Sequence, residues 1–340
     1  MHLIVPLTLP RAFIPLSRSR TPLGVRFTSF SMSTATAPSR PSASLVIINS
    51  RNEVLLVHRN LQARSFGGVH VFPGGNLDAA QDDSLGVTAI RETFEEAGLL
   101  LASGPAPSDA VLDAARNAIH AGKILFQAFL AQHNLTADVQ ALLPFTQWIS
   151  PTFAPRRFRT QFYVAFLGSA STTGFSSGAK EDRIPKSGVH SSLVSQMQAN
   201  ISTDGGQEVI AARFLHPDAV LAEFGAREIT LMPPQFYIVR TLAGILRGPA
   251  TTAAQRERVE ALAHGAFGRM VINPRRLGPP DAQGRFVMTY EGDHTRGGPP
   301  GRLHRATVQM GKGGITSEIV LERNFDISTE IEHCCSPPKL

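Results

Sequence analysis

The sequence predicts a mixed α/β (α+β) fold, and three observations carry that expectation. Two β-rich runs, 43–48 and 54–58, flank the polar turn Asn49-Ser-Arg-Asn52, which is a hairpin signal. A run with helical periodicity, roughly 84–97, follows a glycine turn. Strand-like and helix-like segments then alternate along the chain, as a sheet covered by helices requires.

The elements follow in order. The first helix has Asp82, Asp83 and Ser84 as N-cap candidates, and Gly98 as its stop. Residues 108–132 read as helical, with Ser108 as N-cap, apolar positions at Val111, Leu112, Ala115 and Ile119, and Gly122 as an interruption. Strands are expected at 148–149 and 161–167, flanking a turn rich in Pro and Arg. Residues 169–206, rich in Ser and Gly, read as a mobile loop. A strand at 209–215 and helices near 217–224 and 233–247 come next. Segments 285–290, 306–310 and 315–321 alternate in the strand manner and suggest a small β-rich extension with no internal repeat. The expected organisation is a leader over 1–41, a main domain over 42–248, an extension over 249–330 and a tail over 331–340. Within the main domain, 104–145 reads as a helical insertion.

Charge and composition exclude several classes. The formal net charge of +6 comes mostly from Arg11, Arg18, Arg20, Arg26 and Arg40, in a stretch whose first acid is Glu53. Without those arginines the balance is roughly +1, so the basic pI argues for no nucleic-acid surface. The two cysteines, Cys334 and Cys335, are adjacent and build neither a disulfide framework nor a zinc site. No stretch approaches the roughly 20 apolar residues of a membrane span. The Arg- and Ser-rich leader is of the organelle-transit type, although Pro6, Pro10, Pro15 and Pro22 interrupt any amphipathic helix there. The terminal Pro337-Pro338-Lys339-Leu340 is close to a degenerate peroxisomal signal. The expected location is therefore mitochondrial or peroxisomal, and cytoplasmic if neither signal functions.

The chemistry is concentrated in Phe72-Pro-Gly-Gly75 and Arg91-Glu-Thr-Phe-Glu-Glu-Ala-Gly98. On a helix, Glu95 and Glu96 lie roughly 60° and 40° to either side of Glu92. Val87, Ile90, Phe94 and Ala97 form the opposite, apolar stripe. Three carboxylates this close repel one another unless a cation sits among them, so the helix reads as a divalent-metal site.

These residues resemble the Nudix box, with Asp83 where that pattern has Glu and Leu77 where it has Gly. Upstream, Leu55-Leu-Val-His-Arg59, Arg64, Gly68 and Phe72-Pro-Gly-Gly75 are similar to the coenzyme A signature of some Nudix hydrolases, in spacing throughout. Leu77–Ala80, Trp148-Ile-Ser-Pro151, Arg156-Arg-Phe-Arg-Thr-Gln-Phe-Tyr163 and Glu228-Ile-Thr-Leu-Met-Pro-Pro-Gln-Phe-Tyr237 resemble segments of the peroxisomal and mitochondrial acyl-coenzyme A diphosphatase branch. The likeness covers about residues 42–246 and explains the long loop before Asp83.

The resemblance implies a Nudix fold, a mixed sheet between helices, and metal-assisted hydrolysis of a diphosphate. It implies coenzyme A or acyl-coenzyme A as small-molecule substrate, with 3′,5′-ADP and (acyl-)4′-phosphopantetheine as products. Another diphosphate such as ADP-ribose or a dinucleotide is the alternative, and a silent nucleotide-binding module the third reading. Mg²⁺ or Mn²⁺ is the implied cofactor, on Glu92 and Glu96 first, with Glu95 as third ligand or general base and Glu208 as a distant ligand. Arg91 would hold the carboxylates in place. Arg59, Arg64, Gly74 and Gly75 would meet the substrate, and Arg156, Arg157 and Arg159 are further phosphate candidates.

Overall fold

The expected hairpin opens the fold. Strand β1 (Arg40–Ile48) turns through Asn49–Asn52 into β2 (Val54–Arg59). Asn52 takes the left-handed conformation at φ 61°, which an asparagine tolerates. The computed structural model describes residues 38–62, 67–167, 209–311 and 314–331. The leader up to residue 37, the expected loop at 169–206, Arg64, Glu208, both cysteines and the terminal signal lie outside the described residues.

Short strands β3 (His70–Val71) and β4 (Gly74–Asn76) lead to helix α1 (Leu85–Ala97). Then follow β5 (Ala102–Ser103), α2 (Asp109–His120), α3 (Phe126–Gln132) and β6 (Thr136–Ala137). Ser108 caps α2 as expected, accepting from the Val111 N–H, and Gly122 at φ 65° separates α2 from α3. Strands β7 (Leu143–Ile149), β8 (Phe158–Phe166) and β9 (Val209–Leu215) complete most of the main sheet. Helices α4 (Pro217–Gly225) and α5 (Pro233–Ala243) cover it.

Among the described residues the main sheet runs β10-β7-β8-β1-β2-β3, where β10 is Val271–Ile272, with β4 on β1 and β9 on β2. It is mixed: β8 runs parallel to β1 over nine register pairs, and β2, β3 and β9 pair antiparallel. Such a strand is buried on both faces, which is why β1 reads as a continuous apolar run. Alternate residues feed two cores. Leu45, Ile47 and Leu55 pack with Val87, Ile90 and Phe94 of α1 and with the α2 and α3 residues Ile119 and Phe129. Val46, Ile48, Val54 and Leu56 pack on the other face with Val220, Tyr237 and Leu242 of α4 and α5. The fold class is thus the expected one, a mixed sheet between two helical layers.

The segment 250–330 carries helices as well as the expected strands. It begins with α6 (Ala253–His264), capped by a reciprocal Thr252/Gln255 pair, and the short α7 (Ala266–Arg269). The capping box was present in the sequence, but α6 carries a weak apolar stripe that buries only Val259, Leu262 and Ala263. A second sheet, β11 (Arg275–Leu277), β12 (Phe286–Thr289), β13 (His304–Met310) and β14 (Thr316–Arg323), then follows. Tyr290, Ala306, Val308 and Ile319 share one core with Trp148 and Tyr237, and β10 pairs with β7. The described residues therefore belong to one compact unit. No helix among them is long and apolar enough to cross a membrane.

Candidate active site

Helix α1 is set by its ends. Ser84 accepts from the Val87 N–H, and Gly98 at φ 72° closes the last turn by donating to Phe94 O. Arg116, reaching across from α2, donates from Nε to Glu95 O at 2.7 Å and from Nη2 to Glu96 O at 2.8 Å. The carbonyls of the last turn, unpaired within the helix, thus meet a guanidinium.

Arg91 is the hub of the acidic face. Its Nε and Nη2 bind Asp82 Oδ1 and Oδ2, each at 2.8 Å, in a fork-to-fork pair. Its Nη2 also reaches Asn76 O at 3.2 Å, and its Nη1 lies 2.9 Å from Glu92 Oε1 and 2.8 Å from Glu95 Oε1. Asp82 has no exposed side-chain surface and also accepts from the Asp78 N–H and the Thr88 hydroxyl. Arg91 therefore contacts three carboxylates, and the one bound through both its oxygens is Asp82. The sequence offered Asp82 only as a cap; the cap is Ser84. Asp83, which fills the box position, accepts from Gln127 at the surface.

Glu96 does not lie on an open face. Its side chain is 6% exposed, with Oε2 accepting the Gly74 N–H at 2.9 Å and Oε1 3.3 Å from Arg59 Nη1. The upstream arginine of the second motif is thereby brought onto the box helix, as an ion partner of a glutamate. Glu92 faces Gly75: a Cβ there would sit 2.3 Å from Glu92 Oε1. A Cβ on Gly74 would sit 2.4 Å from the Ala43 carbonyl oxygen. Gly74 is thus required by the closeness of β4 to β1, and Gly75 leaves the room that the Glu92 carboxylate fills. Glu95 turns its Oε2 toward His120 Nδ1 of α2, at 3.6 Å.

Burial pushes the Glu92 carboxyl up to about 7, against the pull of Arg91 and with the help of Glu95. Burial pushes Glu96 up to about 8, aided by Glu92 and opposed by Arg59. Two enclosed carboxylates that repel each other suit an added cation. Among the described residues no three His, Cys, Asp or Glu side chains converge on one point. Arg91 Nη1 holds Glu92 and Glu95 alike, and Glu92 and Glu96 are the pair that faces the glycine strand. Two carboxylates fit an open Mg²⁺-type site, where waters and phosphate complete the shell.

Arg157 and Arg159 rim the turn between β7 and β8, donating to Ser150 O and to Gln147 Oε1 respectively. Arg156 lies exposed in the same turn. Asp82, Arg116 and His120 are the site residues that sequence reasoning missed. Only Asp82 had a local signal, nine residues before Arg91, and the other two come from a helix whose docking no spacing announces.

Residues 38–161 match the NUDIX domain family. Acyl-coenzyme A diphosphatase NUDT19 of Homo sapiens is 26% identical over 274 residues, covering 62% of this chain and 64% of that protein. The protein of the same name from Gallus gallus is 30% identical over 172 residues, covering 44% of this chain and 38% of that one. The chain thus spans less than two thirds of the length of these curated relatives. Among solved structures, a NUDIX hydrolase from Alicyclobacillus acidocaldarius superposes with a TM-score of 0.44 at 23% identity, covering 65% of this chain and 97% of that chain. The box helix, the glycine strand and the family match together identify a Nudix domain over residues 38–161 of this chain.

Proposed function

We propose that the protein is a metal-dependent diphosphatase that hydrolyses coenzyme A or acyl-coenzyme A to 3′,5′-ADP and (acyl-)4′-phosphopantetheine. The observation that carries the reading is the buried Arg59–Glu96 contact, which joins the coenzyme A-type motif to the box helix. Two relatives named as acyl-coenzyme A diphosphatases support the substrate class.

Glu92 and Glu96 would hold the divalent cation, and Asp82 and Arg91 keep the helix face in place beneath them. A bound Mg²⁺ or Mn²⁺ would neutralise diphosphate charge and make the attacking water more acidic. Glu95 takes the water's proton in this reading, with His120 3.6 Å behind its second oxygen. Water adds across the phosphoanhydride, one phosphorus gaining the hydroxyl and the other leaving as phosphate. Arg59 offsets the charge of Glu96 at the wall of the site.

The test is turnover by the full chain with Mg²⁺ or Mn²⁺ on coenzyme A, an acyl-coenzyme A, ADP-ribose and a dinucleotide. The expected result is a kcat/KM for the coenzyme A substrates at least tenfold above the others. Equal turnover of ADP-ribose would replace the substrate assignment, and no turnover of any would make the chain a binding module. Glu96→Gln should lower kcat by about 100-fold or more. An unchanged rate would show that the site is misassigned.

A further inference from the structure

A cavity of about 530 Å³ lies between the C-terminal end of α5, the start of α4 and the end of β14. That size falls within the range of small-ligand clefts. Its lining includes Arg240, Arg247 and Arg323 against one acid, Asp218, with Gly244 and Leu321 between them. We propose that this cavity is a second ligand site, for the phosphate groups of a small phosphorylated metabolite.

The three arginines come from different places in the chain. Arg240 lies in the last turn of α5, where a cation is favoured by the helix dipole whether or not a ligand binds. Arg247 comes from the loop beyond, and Arg323 from the last residue of β14, so the dipole accounts for neither. Arg323 is held in place: its Nη1 donates to Thr241 Oγ1 at 3.0 Å, and its guanidinium lies 5.4 Å from the centre of the Tyr237 ring. Arg240 and Arg247 are exposed, and among the described residues neither forms an ion pair. Asp218 points instead to His216 Nδ1, at 3.6 Å. One fixed guanidinium and two adaptable ones around a pocket also lined by a glycine and a leucine are suited to forked contacts with phosphate oxygens.

The site is distinct from the box helix. Helix α5 packs on the sheet face of Val54 and Leu56, whereas α1 packs on the face of Leu55, so the sheet separates the two. The proposal therefore does not rest on the substrate assigned above.

The experiment is calorimetric titration of the full chain with pyrophosphate in EDTA, so that no divalent cation is present at the glutamates. Orthophosphate forms a parallel arm that shows whether one phosphate group suffices. Saturable binding of pyrophosphate is expected, weakened at least tenfold in the double variant Arg240→Gln/Arg247→Gln. Both side chains are exposed, so the variant should keep the parent's melting temperature, which is checked alongside. Absence of saturable binding, or equal affinity in parent and variant, overturns the proposal.

Discussion

Asp82 places both carboxylate oxygens on the Arg91 guanidinium in a position closed to solvent, while its neighbour Asp83 bonds Gln127 at the surface. Removing one partner of a buried pair leaves the other uncompensated, at a cost of about 3–5 kcal/mol. Asp82→Ala should therefore lower the unfolding free energy by about that amount in urea and release Arg91 to crowd Glu92 and Glu95. Asp83→Asn should change it by no more than about 0.5 kcal/mol. Equal effects of the two would remove Asp82 from its anchoring role. The glycine pair gives a second contrast. A Cβ at Gly74 meets backbone oxygen, which cannot swing away, but a Cβ at Gly75 meets the end of the Glu92 side chain, which can. Gly75→Ala should accordingly keep the fold and displace the Glu92 carboxylate, lowering kcat by about tenfold or more, on the scale of misplacing a reacting group. Gly74→Ala should unfold at clearly lower urea. If Gly75→Ala retained full activity, Glu92 would not belong to the reacting group of residues.

Helix α1 shows how much a sequence can state about an element. Its cap, its apolar stripe, its stop at Gly98 and its acid-rich face were all readable, because each follows from local spacing. What was not readable is that the last turn is held from outside. Arg116 spans to it from α2 through two bonds to main-chain carbonyls, and no periodicity within either helix encodes that contact. The same limit explains α6, whose capping box was present but whose three buried residues gave too weak a stripe to read as a helix. Arg116→Ala should cost about 1–3 kcal/mol, the range for hydrogen bonds made by a charged group. It should also lower turnover, since the frayed residues include Glu95 and Glu96. Arg116→Lys should restore part of both losses. Circular dichroism melts and initial rates read the two effects, and a variant with parental stability would show that solvent serves the carbonyls equally well.

At the scale of the whole molecule, the β-rich runs of β1 and β2 and the alternation of strand-like with helix-like segments were legible, and the resemblance supplied the mixed sheet between helices. The union of 249–330 with the rest was not, because it depends on Tyr237, Trp148, Tyr290 and His304 meeting across long sequence separations. That union buries titratable groups. Tyr237 donates to His304 Nε2 at 2.7 Å, and His304 Nδ1 donates to Glu291 O at 2.5 Å, so the ring is served on both sides while neutral. Burial lowers His304 to about 4. His70, stacked 4.2 Å from His58 in the main sheet, is lowered to about 3 by burial, with His58 and Arg213 adding to the effect.

The sign of the pH dependence follows from these shifts. Above the unfolded value near 6.5 both imidazoles are neutral in both states, and the stability is complete. Below it the unfolded chain takes up protons that the folded one refuses, so stability falls with pH by roughly 1 kcal/mol per unit for each histidine, down toward its folded value. His70 also carries a buried Nδ1 with no hydrogen-bond partner among the described residues. Phe in its place keeps an aromatic ring against His58 and removes both the titration and the unsatisfied atom. His70→Phe should therefore match or exceed the parent's melting temperature at pH 7.5 and lose distinctly less of it between pH 6.5 and pH 5. Parallel acid-side slopes for parent and variant would mean that His70 is as free to protonate folded as unfolded, and that acid sensitivity arises elsewhere.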